Sequence, residues 1–419
     1  MTRLFYNALF YILLPLVLLR LLWRSIKEPE YRETPLQRFG FVNRKVSTGS
    51  VIWVHAVSAG ETVAVVPLVT GLLEKGYQIV MTNMTPTGRE RCNALLGTRV
   101  ENYYAPYDLP GAMKRFLLKI APRVLVLVDT ELWPNMIHYA HVRGTKILSI
   151  NSRLSERSAR SYRLAGTLSS QMLNQIDIVA AQTNAHGQRF IDLGLEKSKL
   201  HIVGSIKFNT YQQPEGDERL NSLIENLGPG RKLIASSTHS GEEKLLIEAF
   251  HQLKLELPDL MLVIAPRHIV RVDEVERIVK RKGMDVNRRT SAAASDTVAD
   301  VLILDSMGEL NLFYSACEIA IVGGSFVPVG GHNFLEAVTA EVPVIMGPHL
   351  DNVEELLEDF IREDAIIIVP NIDELIKTIR LLLVNARMRS SMVTRARTIF
   401  ARNQGALERV EKLVLAQLK

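Results

Sequence analysis

The sequence is poor in cysteine and lacks the short motifs that mark several large enzyme classes. Its two cysteines, Cys92 and Cys317, stand far apart in 419 residues with no CxxC or zinc spacing. That excludes a disulfide framework, fits a reducing compartment and makes both packing residues. No GxGxxG follows a first strand and no GxxxxGKS/T is present, which argues against a dinucleotide oxidoreductase and a P-loop NTPase. There is no DxD, so a metal bridging a nucleotide diphosphate has no obvious ligands. His138 and His141 can share one helical face, but Pro134, aromatic neighbours and the lack of a carboxylate triad make them a surface or packed pair. No metal site is expected. Compositional bias is also absent: 47% hydrophobic and 23% charged residues describe an ordinary globular protein of two or three domains. Fifty Lys and Arg against 45 Asp and Glu give a net charge of +5. This mild excess suits anionic lipid, phosphorylated ligands or nucleic acid without choosing among them.

What the chain does have is an apolar start. Leu4 to Leu19, "LFYNALFYILLPLVLL", contains one polar side chain, Asn7. As a helix it covers about 24 Å, short of a hydrocarbon core of roughly 30 Å, although Arg20 can snorkel to extend it. Three readings compete: a retained anchor, a cleaved signal and a buried core helix. No small-x-small cleavage site follows, and Arg20 and Arg24 close the run, so the retained anchor, residues 1–30, is the expectation. Arg20, Arg24, Lys27, Arg32 and Arg38 against a lone Arg3 upstream keep the body of the protein cytoplasmic under the positive-inside bias. Phe5, Tyr6, Tyr11 and Trp23 suit interfacial anchoring.

Beyond the anchor, short apolar runs alternate with helix-length segments: "VIWVHAV", "QIVMTNM", "RVLVLVD", "KILSINS", "DIVAAQT" and "LHIVGS". Such alternation predicts βα units around a parallel sheet. The pattern stops at the polar "FNTYQQPEGDERL", Phe208 to Leu220, read as a linker. It resumes with "KLIASST", "LMLVIAP", "VLILDS", "IAIVGG", "PVIMGP" and "AIIIVP". The expectation is two α/β domains, 31–208 and 209–419, each doubly wound and facing a cleft. The terminal helical stretch, about Arg387 to Leu418, is placed with the second.

Ligands of open α/β sheets bind beyond the carboxyl ends of the strands, so the residues just after each apolar run carry the most information. In "HAVSAGET" a helix is expected over Val63–Leu73, with Glu61 behind Ser58, Ala59 and Gly60. There Glu61 is either a helix cap, an ionised proton acceptor, or both. In "VDTELWPN" the strand ends in Asp129 and Glu131, which share a rim with Glu61 if the two are not merely a surface turn, so that paired carboxylates converge as acid/base or charge-stabilising chemistry requires. In "GGSFVPVGGHNFLEA" two paired-glycine loops precede a helix opening near Asn333. Backbone N–H groups there can face a phosphate or sugar, and Glu336, one turn in, can accept from ribose hydroxyls. "APRH", "DSMGEL" and "SSTHSGEE" also follow strands, and Arg267 can face a phosphate or carboxylate.

"HAVSAGET", "MTPTGRER", "TELWPN", "STHSGEE", "APRH", "MGEL" and "GGHNFLEA", in this order behind a hydrophobic anchor, resemble the 3-deoxy-D-manno-oct-2-ulosonic acid (Kdo) transferases of lipopolysaccharide synthesis over nearly the whole chain. The resemblance implies a two-domain GT-B glycosyltransferase on the cytoplasmic side of the bacterial inner membrane. It implies transfer of Kdo from CMP-Kdo to a lipid A precursor (lipid IVA), with inversion, no metal, no further cofactor and no nucleic-acid partner. Carried over by position, the general base falls on Glu61 and the transition-state stabiliser on Glu131. CMP contacts fall on Pro266 and Arg267, on Met307, Gly308 and Glu309, and on Asn333, Phe334, Leu335 and Glu336. Some relatives carry Glu where this chain has Asp129, so that position does not need the longer side chain. Lys207 is a further candidate for binding donor or acceptor charge. Two rival classes are a nucleotide-sugar epimerase, which has no need of an anchor, and a non-enzymatic nucleotide-sugar binding protein, which has no need of both Glu61 and Glu131.

Overall fold

The computed structural model describes the chain except residues 1, 28, 45–48, 211–226, 292–298, 307 and 419. It divides into two compact units, one of Met1–Asn209 with Asn403–Lys419 and one of Thr210–Arg402. Most of the expected linker lies outside the described residues.

The first unit is built on β1 (Val51–His55), β2 (Gln78–Asn83), β3 (Glu101–Tyr104), β4 (Val124–Val128), β5 (Lys146–Ser152), β6 (Ile178–Ala181) and β7 (Leu200–Ile202). Their order is β3-β2-β1-β4-β5-β6-β7 and every pairing is parallel. A parallel sheet covered on both faces needs strands apolar on both sides, and β1 and β4 are buried at every position. Chain order reverses between β1 and β4, the place where doubly wound sheets open a crevice. The "HAVSAGET" and "VDTELWPN" turns leave these two strands.

The second unit repeats the plan with β8 (Lys232–Thr238), β9 (Met261–Pro266), β10 (Val286–Arg288), β11 (Val301–Ile303), β12 (Ile319–Val322), β13 (Val344–Met346) and β14 (Ile366–Ile368). The parallel order β10-β11-β9-β8-β12-β13-β14 puts its reversal between β8 and β12. From these come "THSGEE" and the paired glycines.

Two segments differ from the sequence expectation. The helix after β1 spans Ala59–Glu74, one turn earlier than the apolar run, because Ser58 caps it by accepting from the Glu61 N–H. The last helix, Ala406–Ala416, belongs to the first unit rather than the second. Ala406, Val410 and Val414 are fully buried against Val65, Leu68 and Leu72 of the Ala59–Glu74 helix, so its apolar stripe closes the first core. Lys75 and Glu411 pair at 2.6 Å at the edge of this contact.

The N-terminal helix spans Arg3–Lys27, with Pro15 inside. Among the described residues it alone is long and apolar enough to cross a membrane. It is not a core helix, but neither is it free. The Tyr6 hydroxyl donates to Asp108 Oδ2 at 3.0 Å, Asn135 Nδ2 donates to Asn7 Oδ1 at 2.7 Å, and Phe10, Leu14 and Val17 pack on Tyr107, Leu109 and Ala112. The single polar residue of the apolar run is thus a docking group.

Val410→Ala is expected to destabilise the first unit by about 2 kcal/mol through the cavity it leaves. Urea unfolding of the full chain measures this, and an unchanged midpoint would contradict the assignment of the last helix to that core.

Candidate active site

Glu61 closes on its own turn. Its Oε2 accepts the Val57 N–H at 2.7 Å and its Oε1 accepts the Ser58 hydroxyl at 2.7 Å, while Ser58 Oγ accepts the Glu61 N–H at 3.3 Å. Ser58 caps the helix through the Glu61 N–H, and Glu61 reaches back to the Ser58 hydroxyl and to the N–H of Val57, one residue before the cap. Cap and proton acceptor are therefore one carboxylate. Two effects compete for its charge: the helix end and the two donors favour the anion, and burial disfavours it. Burial prevails, pushing the Glu61 pKa up to about 7 against the Ser58 hydrogen bond, with Asp129 and Glu131 adding to the rise.

The turns that carry Glu61 and Asp129–Glu131 leave the same ends of the adjacent parallel strands β1 and β4, which puts the three acidic residues on one rim of the first unit. Asp129 has φ 59, the left-handed region a non-glycine residue enters at a cost, and it accepts from Asn151 Nδ2. The turn sets Glu131 back against Trp133, whose Nε1 donates to Glu131 Oε2 at 2.7 Å. Burial raises the Glu131 pKa too, opposed by the Trp133 bond. Lys207 Nζ sits 3.8 Å from Asp129, so its charge already faces this acidic group. Beneath the rim, the His55 ring meets the Trp133 ring edge to face at 4.8 Å, and its Nδ1 lies 2.9 Å from Thr82 Oγ1. Burial holds the His55 pKa down to about 3, so an uncharged imidazole supports the Trp133 indole. Nothing in the local sequence marks His55 for this supporting place. His138 and His141 stand away from this set, the first against Gln175 and the second exposed.

In the second unit a cavity of about 400 Å³ lies at the strand ends, walled by Pro266, Arg267, Gly308, Asn333 and Glu336 together with Ser237 and His332. Five of the residues carried over from the resemblance meet there. Phe334 and Leu335 do not: both are fully buried, Phe334 against Phe360, and their side chains pack the core. Nor does Glu309, whose carboxylate accepts from Ser306 and Arg289. Met307 is outside the described residues. The helix expected near Asn333 runs Leu335–Thr339, so Glu336 stands at its start rather than a turn inside. Burial raises the Glu336 pKa, opposed by Asn333 and Arg267.

The glycine loop is held by Glu242, a residue the sequence reading passed over. Its fully buried carboxylate accepts the N–H groups of His239 (3.1 Å), Gly324 (2.8 Å), Ser325 (3.2 Å) and Phe326 (2.9 Å). A Cβ on Gly323 would stand 2.6 Å from the Ser237 carbonyl oxygen and 2.8 Å from Glu242 Oε2, so no side chain fits. His239 and His332 stack with Nε2 atoms 2.6 Å apart, and burial beside His239 and Arg267 lowers the His332 pKa to about 4. This pair is neutral near pH 7. No spacing signal in the sequence joins residues so far apart.

Residues 33–210 match the family model described as 3-deoxy-D-manno-octulosonic-acid transferase (kdotransferase), and residues 238–399 match glycosyl transferases group 1. A 3-deoxy-D-manno-octulosonic acid transferase of Haemophilus influenzae is 35% identical over 425 residues, spanning 100% of this chain and 99% of that protein. The chain belongs to the Kdo transferase family. The transferase of Bordetella pertussis is also 35% identical, over 85% of each chain. Among solved structures, the Neisseria meningitidis UDP-GlcNAc 2-epimerase bound to UDP-GlcNAc is similar with a TM-score of 0.53 and 12% identity, covering 88% of this chain and 99% of that one. That likeness shows the fold alone. The chain is thus a glycosyltransferase of lipopolysaccharide synthesis, with two parallel α/β units of the GT-B class and an apolar N-terminal helix.

Glu242→Ala would leave four backbone donors without their acceptor, each costing about 1–3 kcal/mol when it stays dry. The expected loss is about 3 kcal/mol or more in the second unit, read by denaturant unfolding. A stability within about 0.5 kcal/mol of wild type would contradict the role given to Glu242.

Proposed function

We propose that this glycosyltransferase moves Kdo from CMP-Kdo to a lipid A precursor (lipid IVA) at the cytoplasmic side of a bacterial inner membrane. In this reading transfer inverts the anomeric centre, needs no metal, and uses Glu61 as general base. The observation that carries it is the environment of Glu61: a carboxylate beyond the end of β1, lifted by burial from its ordinary value of 4.5 to about 7, beside two further acidic groups.

A general base works best when its pKa lies near the working pH, because the ionised fraction and the proton affinity are then both substantial. An ordinary carboxylate is a poor partner for an alcohol. Glu61 is lifted by more than two pKa units yet stays about half ionised near pH 7. As the acceptor oxygen attacks the Kdo anomeric carbon, its proton passes to a Glu61 oxygen within the transition state. The bond from that carbon to the phosphate oxygen breaks on the opposite face, and its electron pair leaves with CMP. Positive charge grows on the sugar as the bond breaks. Glu131 and Asp129, which disfavour the Glu61 anion, stabilise that charge for the same electrostatic reason.

Donor binding is assigned to the second unit. Arg267 faces the phosphate or the Kdo carboxylate, Glu336 accepts from ribose hydroxyls, and Pro266, Gly308 and Asn333 shape the pocket. The CMP contacts that the resemblance gives to Met307, Glu309, Phe334 and Leu335 belong to the same proposal, although the side chains of Phe334 and Leu335 stand in the core behind the cavity. The apolar helix holds the first unit at the membrane, raising encounter with a lipid acceptor.

Glu61→Ala is expected to lower transfer by about 10²- to 10⁴-fold while CMP-Kdo affinity stays within about twofold. Wild-type turnover by that variant would refute the base assignment. Arg267→Ala is expected to weaken CMP-Kdo binding by about tenfold or more, since a charge-assisted hydrogen bond is lost; an unchanged affinity by calorimetry would remove Arg267 from the donor site.

A further inference from the structure

The N-terminal helix has two unlike faces. One docks on the first unit through Tyr6, Asn7, Phe10, Leu14 and Val17. The other, running through Phe5, Ile12, Leu16, Leu19, Trp23 and Ile26, is exposed at 60–73% of each residue's surface. Such a stripe on a water-borne surface is costly, and hydrocarbon is its fitting environment.

The docked face does not seal. Beneath it lies a cavity of about 530 Å³, walled by Phe10 and Val17 of the helix, by Trp133, and by Ala165, Leu168 and Met172. Its size falls in the roughly 300–1,000 Å³ range of ligand sites. Several of the polar groups at its margin are already engaged. Asp108 accepts from the Tyr6 hydroxyl and from the N–H groups of Asn135 and Met136, and the Ser169 hydroxyl donates to the Tyr162 carbonyl. With Asp108 and Ser169 engaged and a wall made mostly of aliphatic and aromatic side chains, the space suits an apolar guest. One wall is shared with the rim: Trp133 faces the cavity while its Nε1 donates to Glu131.

We propose that this cavity takes one hydrocarbon chain of the lipid acceptor, entering along the apolar helix, and thereby fixes the acceptor headgroup beside Glu131 and Glu61. This rests on the lipid acceptor named under the proposed function. The helix then acts in substrate binding as well as attachment. A chain lodged against Trp133 places the attached sugar on the side of the indole where the acidic rim stands.

The test uses the full chain in detergent micelles and a lipid A precursor carrying a diazirine near the end of one acyl chain. After irradiation and digestion, label is expected on peptides containing Trp133 or Leu168–Met172, besides the exposed helix stripe. Ala165→Trp, and separately Ser161→Trp at an exposed wall position, fill the space from its margin. Each is expected to cut cavity label at least tenfold with stripe label kept, and to raise KM for the acylated acceptor at least tenfold. KM for CMP-Kdo and turnover of a deacylated acceptor are expected to stay unchanged. Label confined to the stripe would overturn the proposal, as would variants that lose cavity label with an unchanged acceptor KM, which would assign the space to bulk lipid. Cavity label without any Kdo product from wild type would sink the proposed function and leave the cavity assignment standing.

Discussion

A half-buried carboxylate that closes on its own helix start beside other acidic groups is the constraint around which the first unit's rim is arranged. Glu61 is held at both oxygens by Val57 and Ser58, which ties its carboxylate to the turn. Each neighbour compounds this. Asp129 is turned toward the rim by a left-handed backbone conformation, and Glu131 is tied to Trp133, which rests on the neutral ring of His55. Negative charge so concentrated is costly in the resting protein. In the proposed reaction it becomes favourable as a sugar carbon turns cationic beside it, and such a difference between ground and transition state accelerates a reaction.

The second unit uses a related device for another end. Glu242, like Glu61, is an acidic residue in the first turn of a helix leaving a central strand. Instead of folding onto its own turn alone it reaches across the strand-order reversal and gathers the backbone N–H groups of Gly324, Ser325 and Phe326. Those donors are thereby consumed in building the loop. Arg267, Asn333 and Glu336 remain on the cavity wall, where the proposed donor would meet them, with His239 and His332 stacked beside them.

Much of this was legible in the sequence, and the parts that were not share physical causes. Apolar runs located the central strands because a parallel sheet covered on both faces demands them. The runs missed β3, "ENYY", and β10, "VNR", which are edge strands with partly exposed residues and no apolar run to betray them. Glu61, Glu131 and the residues after β9 and β12 stood out because strand ends are where such sheets bind ligands. The direction of the Glu61 pKa did not: helix-end stabilisation and burial oppose each other, and only packed coordinates give the weight of each. Phe334 and Leu335 were read as contacts because they stand inside a site motif, although their side chains turn to the core. Asn7 looked like a blemish in an apolar run until its partner, Asn135, was placed. Pairs distant in sequence, such as Glu242 with Gly324 or His239 with His332, leave no local pattern.

The rate of Kdo transfer as a function of pH tests the central claim most directly. With Glu61 as the proposed general base its ionised form is the active one, so kcat/KM should fall as pH drops through an inflection near 7 and level off above it. Ser58→Ala removes a hydrogen bond that favours the anion and should move that inflection upward. An inflection at an ordinary carboxylate value near 4.5, or one indifferent to Ser58, would contradict the account.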